Sequence, residues 1–114
     1  VKWLAKPEAH DYDAAVDYLS LLVSKKVAQA AAWDLERVGM TERKAKDILR
    51  ASRLPLLAAD NKDVARQLGK ASLSPILLVR TPLGLEVADG YHRLCAAYHL
   101  DEDAEIPCKL VSLK

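Results

Sequence analysis

The sequence predicts an α+β fold, a helical N-terminal half packed on a small mixed sheet of β-turn-β-helix-β type. Three observations carry that prediction. Up to about residue 53, apolar residues recur at helical spacing. Beyond it the period changes: Pro75 to Arg80 is an apolar run, Thr81-Pro82-Leu83-Gly84 a turn, and Leu85 to Ala88 a second run. Asp89-Gly90 then leads into Leu94-Cys95-Ala96-Ala97-Tyr98-His99-Leu100, which is helical again.

Taken in order, Asp11-Tyr12-Asp13 opens the first helix, and Tyr12, Ala15, Leu19 and Leu22 recur at helical spacing. Its two Asp suit the positive end of a helix dipole. Ser24 caps a second helix with Val27, Ala31, Leu35 and Val38 on one side, and Gly39 stops it. Thr41 is the expected cap of a third, whose stripe is Ala45, Ile48, Leu49 and Ser52. On its exposed side Glu42–Lys46 and Arg43–Asp47 are i,i+4 pairs. Pro55 breaks the pattern at Leu54-Pro55-Leu56-Leu57. Asp60 or Asn61 caps a fourth helix, with Val64, Leu68 and Ala71 inward. Pro75 to Val79 is apolar on both faces, as an interior strand is, and Leu85 and Val87 share one face of its partner. A helix follows from near Tyr91, then a solvated loop at Asp101-Glu102-Asp103. Ile106, Cys108 and Leu110 alternate along a closing strand.

A length of 114 residues fits one domain over 1–114, with 1–53 a helical extension and 54–114 the core. Phe is absent, so the core is built from Leu, Ala, Val and Ile. A formal charge of +1 argues against a nucleic-acid partner or a membrane surface. Only residues 36–53 lean basic, with six basic against three acidic side chains. Arg43, Lys44, Lys46, Arg50 and Arg53 there read as a solvated helix face before they read as a nucleic-acid contact. No apolar run nears the ~20 residues of a membrane span. No signal peptide is visible, so the cytoplasm is the expected location. Cys95 and Cys108 make no disulfide framework, and His10 and His99 lack a ligand-spaced partner for a metal.

The chemistry of the chain concentrates at Asp89-Gly90-Tyr91-His92-Arg93. Strand, glycine turn and helix in that order leave unpaired N–H groups at a helix start, where the macrodipole favours an anion. Arg93 adds a guanidinium that can grip phosphate bidentately, and His92 a ring N–H. Asp89 is the candidate catalytic residue, either on Mg²⁺ or taking a proton from a substrate hydroxyl; its bland alternative is a helix cap. Tyr91 stacks on a base or covers the turn. Cys95, one turn on, reads as a small buried side chain.

Residues 54–113 resemble the N-terminal domain shared by ParB chromosome-partition proteins and sulfiredoxins. The resemblance rests on Leu73-Ser74-Pro75-Ile76-Leu77-Leu78-Val79, then Ala88-Asp89-Gly90-Tyr91-His92-Arg93-Leu94-Cys95-Ala96-Ala97, then Ile106-Pro107-Cys108-Lys109-Leu110-Val111. It implies a nucleotide (ATP, ADP or CTP, with Mg²⁺) held by its phosphates at Gly90, Tyr91, His92 and Arg93. A homodimer or protein partner is compatible with it. Tyr91 stands where sulfiredoxins carry their catalytic Cys, which argues against sulfur chemistry. Tyr91 and His92 also replace the Glu and first Arg of ParB proteins. Asp89, Gly90 and Arg93 fit the turn of free-serine kinases, with the His one position later. Three functions therefore stay open to the chain: a phosphate-binding domain, a small phosphotransferase, and an interaction module with a vestigial site.

Overall fold

A computed structural model describes residues 1–114. The first half runs β1 (Lys2–Trp3), α1 (Ala9–Leu19), α2 (Lys25–Arg37), β2 (Thr41–Lys44) and α3 (Ala45–Ser52). The second half runs α4 (Lys62–Leu68), β3 (Ser72–Leu73), β4 (Ile76–Thr81), β5 (Gly84–Asp89), α5 (Tyr91–Leu100) and β6 (Glu105–Ser112). The fold is α+β, as the change of period implies.

The main sheet is mixed, in the order β2-β6-β4-β5. β4 pairs antiparallel with β5 across the Thr81–Gly84 turn and parallel with β6 on its other side. Between them the chain passes over β4 as α5. β1 and β3 form a separate two-stranded parallel ribbon.

Alternation along β4 divides the core. Ile76 and Leu78 face Ala45, Ile48, Leu94, Ala97, Ile106 and Cys108 under α3 and α5. Leu77 and Val79 face Ala15, Leu19, Ala28, Ala31 and Leu35 under α1 and α2. Helices thus cover both faces of the sheet, which is why Pro75 to Val79 reads apolar without a break. α4 joins the α5 side, where Val64 packs on Cys95 and Ala96.

One expected element is corrected. Thr41 does not cap a helix. Residues Thr41–Lys44 pair antiparallel with Glu105–Cys108, and α3 begins only at Ala45. An open β6 edge offers that segment a ladder, and strand pairing outweighs one more helical turn. The start of α3 is satisfied by backbone instead of a cap: Ala45 N–H donates to Ala104 O and Lys46 N–H to Glu102 O, each at 3.0 Å. The Glu42–Lys46 and Arg43–Asp47 pairs therefore do not form. Lys46 meets Asp103 at 2.6 Å, and Arg50 approaches Asp47 at 3.7 Å.

The other ends follow local chemistry. Glu8 and Asp11 form a reciprocal capping box at α1, which starts two residues before Asp11. Ser24 Oγ accepts the Val27 N–H, and Asn61 Oδ1 accepts those of Asp63 and Val64. Leu22, counted in the first helical stripe, and Ala71, expected inward, lie past the ends of α1 and α4 and are exposed. No helix is long and apolar enough to cross a membrane.

Candidate functional site

The turn at Gly90 takes the strand–glycine–helix form expected of it. Gly90 sits between β5 and α5 at φ 110°, ψ 21°, a backbone that L side chains rarely adopt. The first hydrogen bond of α5 runs from Leu94 N–H to Gly90 O at 2.9 Å. The amides of Tyr91, His92 and Arg93 precede that bond, and no side chain caps them from the N-cap position.

Arg93 does not point outward. Its Nη2 donates to Asp89 Oδ2 at 2.8 Å and to Pro75 O at 3.3 Å, and the two side chains are 14% and 15% exposed. The guanidinium therefore braces the end of β5 and the approach to β4 against the first turn of α5. It also lies over Gly90, where a Cβ would come within 2.9 Å of Nη2 and 3.0 Å of Ile76 Cγ1. Arg93 Nε is buried with no partner, an unspent donor beside the turn.

Asp89 does not cap α5 either. Burial pushes its carboxyl above the usual range, Arg93 opposes that shift, and Asp11 adds to it. Asp11 is a site residue that sequence reasoning missed. It is 2% exposed at the start of α1, accepts the Glu8 N–H through Oδ2 at 2.9 Å, and lies 3.4 Å from His10 Nε2 through Oδ1. Exposed His10 thus approaches Asp11, whose carboxyl adds to the upward push on Asp89, and Asp89 pairs with Arg93. In the sequence Asp11 reads only as an opener of the first helix, and nothing local signals that it bears on Asp89 across the fold.

Tyr91 covers the turn: its hydroxyl donates to Pro55 O at 2.5 Å, and its ring lies tilted at 5.5 Å from that of His92. His92 is the accessible side chain of the group, 42% exposed, with Nε2 at 3.7 Å from Asp63 Oδ2. Asp63 also pairs with Arg66 one turn along α4. Cys95 is buried, and burial raises its thiol instead of activating it. Cys108 lies in the core, its thiol pushed up to about 11 by burial. Glu86, the other acid near Asp89 in sequence, accepts a hydrogen bond from Tyr18 at 2.5 Å. His99 meets Leu57 O at 2.7 Å. No group of three or more His, Cys, Asp or Glu is placed to hold a metal ion.

Fold and site together define an α+β domain with an uncapped helix start beside a half-buried carboxyl–guanidinium pair. No family model, curated protein or solved structure matches the chain.

Proposed function

We propose that this is a ParB-like, cytoplasmic binding domain that takes a nucleotide or other phosphate ligand at the Gly90–Arg93 turn. The observation that carries the reading is the uncapped first turn of α5 behind a left-handed Gly90. A phosphate oxygen there accepts from the amides of Tyr91, His92 and Arg93, with the half-exposed His92 ring at its edge. Arg93 acts chiefly as a brace that sets the turn. The donor set fits an anion. The carboxyls of Asp89 and Asp11 behind it fit one less well, so Mg²⁺ or a proton on Asp89 favours binding.

Thermal unfolding with ATP, ADP, CTP and GTP, each with Mg²⁺, tests this. A ligand at about 100 times its Kd stabilises by ~2.7 kcal/mol. His92→Ala is expected to shrink that shift. Failure of every nucleotide to raise the melting temperature would overturn the reading. It would favour an interaction module instead, a role that the internal Arg93–Asp89 pair already suits.

Phosphoryl transfer is the second reading, and it draws on the packing of α1, which carries Asp11, against β5, which carries Asp89. Glu86 is engaged by Tyr18, and buried Asp11 is the further carboxyl that bears on Asp89. Nucleotide turnover lost in Asp89→Asn is the expected mark of it; turnover unchanged in that variant excludes it.

A further inference from the structure

The basic segment that sequence analysis set aside as a solvated helix face lies at the rim of a cavity. Between α3, the C-terminal half of α5 and the following loop is a solvent-open groove of about 770 Å³, of the size of small-molecule sites. Leu49, Leu54 and Tyr98 give it an apolar side. Lys44, Lys46, Arg50 and Arg53 stand around it, against the carboxylates of Asp47 and Glu102.

Pairing around this rim is uneven. Lys46 is taken by Asp103 and Arg50 by Asp47. Lys44 and Arg53 have no carboxylate within ion-pair distance. Arg53 is also the only non-glycine residue with positive φ, ending α3 at φ 59°, ψ 20°. That helix-end position usually falls to Gly or Asn, because a Cβ is strained there. An arginine in that place brings a guanidinium to the cavity rim at the expense of backbone comfort.

We infer that this cavity binds a small organic phosphate, a dianion attached to a planar or apolar body. Arg53 grips the phosphate as a fork, while Lys44, at the other end of α3, adds to the positive field of the rim. The body lies against Tyr98, Leu49 and Leu54, which inorganic phosphate cannot exploit. This site is separate from the Gly90 turn: Tyr98 is two turns along α5 from Tyr91.

The test is an amide-resolved NMR titration of the full chain with phenyl phosphate and, separately, inorganic phosphate. Saturable shifts are expected at Leu49, Arg53, Leu54 and Tyr98, with phenyl phosphate binding more tightly than inorganic phosphate. His92→Ala leaves them unchanged, which separates this site from the turn. Arg53→Gly suits the left-handed backbone, so it is expected to fold at least as well while binding phenyl phosphate about tenfold more weakly. Wild-type affinity in Arg53→Gly overturns the inference. So do shifts confined to Gly90–Leu94, or shifts that never saturate. Binding of a single-stranded oligonucleotide without binding of phenyl phosphate overturns it in favour of a nucleic-acid contact.

Discussion

Gly90→Ala puts a number on the turn. At φ 110° a Cβ is strained whatever the space around it, by about 1–2 kcal/mol for a left-handed backbone. Here the space is also occupied. The new methyl would meet Arg93 Nη2 at 2.9 Å and Ile76 Cγ1 at 3.0 Å. Arg93 can yield only by leaving Asp89 and Pro75, and Ile76 is fully buried. Crowding of that kind adds about 1–3 kcal/mol. The sum, about 2–5 kcal/mol, is a large share of the ~5–15 kcal/mol that holds a domain together. Gly84→Ala is the control, because Gly84 has φ 131° with nothing within 4 Å of its would-be Cβ. It loses the conformational part alone. Urea unfolding followed by tryptophan fluorescence reads the difference. With a slope of about 1–3 kcal/mol per molar, the crowding term is expected to put the Gly90→Ala midpoint roughly 1 M, within about 0.3–3 M, below that of Gly84→Ala. Equal midpoints for the two variants would refute the close approach of Arg93 over the turn.

Two further outcomes follow from caps and pairs. Asn61→Ala removes the acceptor for the Asp63 and Val64 amides at 2.9 and 3.2 Å; it is expected to destabilise by ~1 kcal/mol, seen as faster hydrogen exchange along α4. Tyr18 donates to Glu86 at 2.5 Å, and that bond is the chief cause that pushes its phenol from 10.0 to about 12. Because the folded value is raised, the stabilisation is complete below pH 10 and is lost as pH climbs towards about 12. Wild-type melting temperature is therefore expected to fall more steeply than that of Tyr18→Phe across that window, and parallel curves would remove the assignment.

Much of the architecture was legible because it rests on period and caps. β4, apolar at every position from Ile76 to Val79, declared itself an interior strand, and Ser24 and Asn61 cap the helices they were expected to cap. Thr41–Lys44 was not legible. Four residues of mixed polarity carry no period of their own, and they are a strand only because Glu105–Cys108 presents an edge. The site divides in the same way. Gly90 and its uncapped amides are local facts of the chain. The pairing of Arg93 with Asp89 was within reach at i,i+4 spacing, yet burial decides it, and burial comes from α1 and the sheet. The approach of Asp11 to Asp89 depends wholly on how α1 lies across β5.

β6 sits inside the sheet although it is the last strand in chain order, and that placement governs assembly. On a ribosome, Thr41–Lys44 emerges long before its sole lateral neighbour exists. The β4–β5 hairpin likewise keeps one raw edge until Glu105–Ser112 slots in between. Nascent chains halted before that strand should be the ones that chaperones hold, and a protease cut at Asp101–Asp103 should unzip the domain from its middle outward.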